Sequence, residues 1–134
     1  MKNIFVVLVG GVVLIAGVFL MKNNSPVATT GIVPAVAEVN NVSVIDGKQI
    51  INIRARGGYN PVHSVAKSGL PTILRFDTSG TFDCSSSVRI PSMNLSKSLP
   101  QTGTTDIDIG TQSVATLQGT CSMGMYPFSV EFKS

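Results

Sequence analysis

From residue 42 onward, apolar and polar residues alternate in short runs, the two-residue period of strands that bury one face. Ile51, Ile53 and Ala55 alternate with Asn52 and Arg54, and the run stops at Arg56-Gly57-Gly58. Val62 to Lys67 comes next and ends at Ser68-Gly69-Leu70-Pro71. Leu74 and Phe76 alternate with Arg75 and Asp77 up to the turn Thr78-Ser79-Gly80, and Val88 and Ile90 make a brief run. Ile107 and Ile109 alternate with Asp106 and Asp108, Val114 to Thr120 forms a further run, and Phe128, Val130 and Phe132 alternate with Ser129 and Glu131. Seven short strands separated by turn residues, with no helical period among them, predict an all-β sandwich or barrel.

The N-terminus breaks this pattern. Between Lys2 and Lys22, the run from Ile4 to Met21 carries no charged residue, which is long enough to cross a bilayer as one helix. The tidy small-residue cleavage pattern, Ala35-Val36-Ala37, stands well downstream, so the run reads as an uncleaved anchor rather than a signal peptide. The positive-inside bias of the N-terminal amine and Lys2 puts the chain beyond residue 22 outside the cytoplasm. No cysteine stands just after the run to take a lipid. Residues 23–40 combine Asn, Ser, Thr, Pro and Gly without periodicity and read as a tether. The expected organisation is an anchor over 1–22, a tether over 23–40 and one β-domain over 41–134.

The anchor accounts for much of the 43% hydrophobic content in 134 residues. A net charge of +3 suggests an anionic partner at first. However, the Lys and Arg residues are scattered, with no basic run or interleaved aromatics, which argues against nucleic-acid binding. No enzyme constellation stands out: His63 is the single histidine, and Asp106 and Asp108 share a strand face as a solvated pair would.

The chemistry concentrates in Thr120-Cys121-Ser122-Met123-Gly124-Met125-Tyr126-Pro127, which sets one thiol and two thioethers within five residues. The remaining cysteine is Cys84, in Asp83-Cys84-Ser85. Soft sulfur ligands select copper(I). Two plainer readings stand beside this one: a disulfide between Cys84 and Cys121, and methionines buried as core filler, Met123 and Met125 beneath Tyr126. Met93 is expected in the core rather than at a metal, and His63 on the surface.

Several of these pieces, taken in order, carry a resemblance. Gly58-Tyr59-Asn60-Pro61, Lys67-Ser68-Gly69-Leu70-Pro71, the strand ending at Phe76, Cys84, Ile90-Pro91, Leu99-Pro100 and Cys121-Ser122-Met123-Gly124-Met125-Tyr126 together resemble the cupredoxin-like domains found with heavy-metal-transporting ATPases and copper-resistance systems. The match spans about residues 48–133. The resemblance implies a Greek-key β-sandwich with a metal at one end, between the loop of Cys84 and the loop of Cys121. In that pattern a cysteine stands where the better-known cupredoxins carry their first histidine, and Cys84 falls there. A blue electron-transfer site needs two histidines, and a purple dinuclear site needs two cysteines in one loop; this chain has neither. The implied ligand set is therefore Cys84, Cys121, Met123 and Met125 around copper(I). The implied function is non-enzymatic: a membrane-anchored, extracytoplasmic protein for copper handling, delivery or tolerance, with a copper-transporting membrane protein as partner. The alternatives are a disulfide-stapled structural sandwich and, further off, a cupredoxin electron carrier.

Overall fold

A computed structural model describes residues 40–134; the expected anchor and all of the tether before residue 40 lie outside the described residues. Those residues fall within one compact unit, Val36–Ser134, built from strands in two sheets and two single-turn 3-10 segments.

The first sheet contains β1 (Val42–Ile45), β2 (Lys48–Ala55), β5 (Pro71–Thr78) and β8 (Gly103–Thr111) in that spatial order, with β3 (Tyr59–Asn60) on β2. The second contains β4 (His63–Lys67), β10 (Pro127–Lys133), β9 (Ala115–Thr120), β6 (Ser87–Ile90) and β7 (Leu95–Ser98), again in spatial order. Most pairs are antiparallel, but β2 runs parallel to β5 and β4 runs parallel to β10. These parallel pairs arise because the chain crosses from one sheet to the other between their strands.

The alternation read from the sequence holds at the core. Ile51, Ile53, Leu74, Phe76, Ile107 and Ile109 from the first sheet meet Val88, Ile90, Leu117, Phe128, Val130 and Phe132 from the second in one buried cluster. Tyr59, Phe76 and Phe128 pack edge to face, with ring centroids 5.0–5.8 Å apart. Each such pair adds about 1 kcal/mol beyond the area it buries. Gly119 on β9 makes this possible, because a β-carbon there would clash with the Phe128 ring. Buried Gln49 ties the sheets together: its amide donates to Lys67 O and Thr72 Oγ1, and its carbonyl accepts from Lys67 N–H.

Three strands escaped the sequence reading, and each lacks an alternating buried face. β1 leaves Val44 and Ile45 more than half exposed at a sheet edge; β3 is two residues long; β7, at the other edge, is Leu-Ser-Lys-Ser and almost wholly exposed. Met93 requires a correction. The 3-10 turn Pro91–Met93 places it at the surface, 37% exposed, rather than in the core.

Candidate metal-binding end of the sandwich

One end of the sandwich gathers the sulfur residues, and a series of polar contacts places them. The segment after β5 is fixed first by Thr81, fully buried, whose hydroxyl donates to Ala55 O while its N–H donates to Gln101 O. Asp83 then caps the 3-10 turn Cys84–Ser86. Its Oδ1 accepts from Ser85 N–H at 2.8 Å and from the Ser85 hydroxyl, and its Oδ2 accepts from Gly57 N–H at 2.9 Å. These bonds, the Ser85 hydroxyl foremost, hold the Asp83 carboxyl below its ordinary range, because each favours the charged form. Asp83 is thus bound to the backbone on both sides of the gap between β2 and the Cys84 turn.

Cys121 arrives from the other side, at the end of β9. Its N–H donates to Tyr126 O at 3.1 Å and its carbonyl accepts from Gly124 N–H at 3.0 Å, so the residues from Cys121 to Tyr126 fold as a tight hairpin loop. Gly124 takes a φ of +73°, a left-handed conformation that costs a residue without a β-carbon little. The expected extended arrangement, with all three sulfurs on one side, therefore gives way to the other expected one, a folded loop. Tyr126 lies half-buried with its ring against Gly58, which seats the loop on the turn between β2 and β3.

Ser87 joins the two cysteine segments. Its Oγ accepts from Ser122 N–H at 3.2 Å and lies 2.9 Å from Ser122 Oγ and 3.2 Å from Cys84 O. Its own carbonyl accepts from the Tyr59 hydroxyl at 2.6 Å. Burial, and next the charge of Asp83, push the Tyr59 phenol above its ordinary range. The phenol is therefore a neutral donor that holds the start of β6 in place.

The outcome is that Cys84 and Cys121 meet, with Cα atoms 5.8 Å apart, and are joined as a disulfide. Cys121 is fully buried and Cys84 partly so. Met123 and Met125 are 76% and 60% exposed, so neither is core filler beneath Tyr126. They stand on the same loop as Cys121, beside the joined sulfurs along the chain. Phe82, two residues before Cys84, is 75% exposed. His63 lies on the surface of β4, its Nδ1 2.9 Å from Ser129 Oγ and its Nε2 3.6 Å from Glu131. Among the described residues no three of His, Cys, Asp and Glu converge. Only when the disulfide is reduced would the two cysteines become thiolate donors; with the thioethers on the Cys121 loop they would then make a donor set suited to copper(I) and poor for zinc or copper(II).

Asp83, Ser87 and Tyr59, which fix the cysteines, were missed from the sequence. Only Asp83 left a local signal there, since an Asp two residues before a Ser is a capping pattern; the partners of Tyr59 and Ser87 come from distant strands.

No protein-family profile and no curated relative matches the chain. Solved structures do. The metal-binding domain of the Cu(I)-exporting P-type ATPase CopA from Streptococcus pneumoniae D39, determined with Cu(I), superposes with a TM-score of 0.62 at 21% identity, over 69% of this chain and 93% of that domain. A copper-binding protein determined in its apo form by NMR superposes with a TM-score of 0.63 at 22% identity, over 69% of this chain and 94% of the other. At this identity the likeness is one of fold.

Proposed function

We propose that this protein is a non-enzymatic copper(I)-binding protein whose reduced form holds the ion through the Cys84 and Cys121 thiolates, completed by Met123, Met125 or both. The observation that carries this reading is the meeting of Cys84 and Cys121, with two exposed thioethers on the loop that Cys121 begins. The fold, shared with a domain determined with Cu(I), supports it. Two thiolates and a thioether form a low-coordinate soft cage, while the absence of a histidine pair removes the nitrogen donors that would favour copper(II). In this reading residues 4–21 anchor the chain in a membrane with the β-domain outside the cytoplasm, where it passes copper to or from a copper-transporting membrane protein. The cupredoxin-like assignment belongs to the same proposal.

The test is titration of the fully reduced chain with copper(I) against a chromophoric chelator. The expected result is about one tightly held ion, colourless in the visible and silent in paramagnetic resonance. Replacing either cysteine with serine should weaken binding far more than Met123→Leu or Met125→Leu alone. The disulfide itself favours a second reading, a structural sandwich that binds nothing. Failure of the reduced chain to compete for copper(I) would establish that reading.

A further inference from the structure

The two cysteines have a second use that derives from where they stand. Their Cα separation of 5.8 Å lies within the span of an unstrained disulfide, so they can pass between dithiol and disulfide without the β-sandwich moving. Cys84 is only partly buried while Cys121 is fully so, which makes Cys84 the more accessible of the two and Cys121 the partner that closes the bond. The nearest carboxylate in sequence, Asp83, is committed to Gly57 and Ser85, and no cluster of His, Cys, Asp and Glu among the described residues could stabilise a cupric ion. Met123 and Met125 are not consumed when the disulfide forms, and both are exposed next to it in the chain.

We propose, resting on the copper(I) reading, that the reduced Cys84/Cys121 pair reduces cupric ions, and that Met123 and Met125 retain the cuprous product. Two thiol S–H bonds break, one S–S bond forms between Cys84 and Cys121, two protons pass to solvent, and each of two copper(II) ions takes one electron. The substrate class is hydrated or weakly chelated copper(II). The thioethers hold the product because they favour copper(I) and cannot themselves form the disulfide. The disulfide form is then the spent state, returned to the dithiol by thiol–disulfide exchange with a dithiol reductant.

The experiment adds copper(II) sulfate to the fully reduced full-length chain under nitrogen, with a parallel titration using copper(I). The expected result is loss of the cupric paramagnetic signal up to about two ions per chain, the two-electron capacity of one dithiol. Mass should fall by two hydrogens, and peptide mapping should find a Cys84–Cys121 link within one chain. After desalting under nitrogen, the oxidised chain should keep cuprous ion on its thioethers, held more weakly than by the reduced chain. The M123L/M125L double variant, altered only at exposed positions, should retain at least about tenfold less cuprous product for each copper(II) ion reduced, while C84S/C121S should reduce none. A cupric signal that persists from the first addition with both thiols still titratable would overturn the proposal, as would equal retention by the double variant. If copper(I) binds in the parallel titration while copper(II) is not reduced, this inference fails and the proposed function stands; if copper(I) does not bind either, the proposed function fails.

Discussion

Breaking the Cys84–Cys121 link without disturbing the fold should make stability depend on copper. The bond joins residues 37 apart in sequence. By the chain-entropy relation, a loop of that length removes about 4 kcal/mol of unfolded-state freedom. A small domain is stable by about 5–15 kcal/mol in all, so the metal-free reduced protein should lie near the margin. Its midpoint should fall by about 20 °C, taking about 5 °C per kcal/mol for a domain of this size. A copper(I) ion bridging both thiolates closes the same loop and acts by mass action on the folded state alone. At a free concentration about a thousandfold above Kd it returns about 4 kcal/mol. The assay is thermal and urea unfolding of the full-length chain in three states: oxidised, reduced, and reduced with copper(I). Near-ultraviolet circular dichroism of buried Tyr59 reports the core. The predicted order is oxidised about equal to reduced with copper, both well above reduced alone. A reduced, metal-free protein within about 1 kcal/mol of the oxidised one would refute the loop argument. A reduced protein that copper(I) does not stabilise would refute the assignment of the thiols as ligands.

Other consequences are quicker to check. Gly119→Ala should cost about 1–3 kcal/mol in urea unfolding, because its β-carbon enters the space of the buried Phe128 ring; an unchanged midpoint would show that the ring can move aside. Asp83 has its pKa lowered in the folded state. Its contribution is therefore present above the ordinary carboxylate value and lost as pH falls through the lower folded one. Asp83→Asn should flatten the acid limb of a stability–pH profile below about pH 4, and a limb identical to wild type would contradict this. Met93→Leu should leave both stability and copper(I) affinity unchanged, since Met93 is at the surface and outside the cysteine loops; a loss of affinity of about tenfold, or about 1.4 kcal/mol, would place it among the ligands.

Alternation alone located the strands with a clear inside and outside. At Ile51/Ile53, Leu74/Phe76, Ile107/Ile109 and Phe128/Val130/Phe132 the local period and the tertiary burial agree. It failed at β1, β3 and β7, where strand structure rests on pairing with a neighbour and little side-chain burial marks it. Met93 was misplaced for a related reason: a large apolar side chain reads as core until the turn that carries it is seen to face solvent.

The sulfur residues themselves were legible, because their soft chemistry and close spacing in Cys121-Ser122-Met123-Gly124-Met125 belong to the sequence. That Cys84 reaches them was expected from the family resemblance and from the count of two cysteines, not from any local pattern, since their meeting depends on the pairing of strands far apart in the chain and on contacts that cross between loops. Gly57 reaches Asp83, Thr81 reaches Ala55, and Ser87 reaches Ser122. These backbone and hydroxyl bonds depend on position in space and leave no periodic trace. The sequence by itself therefore determined the β-rich character of the domain and the kind of atom available for chemistry. Only the tertiary structure decided that two distant thiols stand close enough to bond while two thioethers remain in solvent, because proximity between loops is a property of the packed sheets.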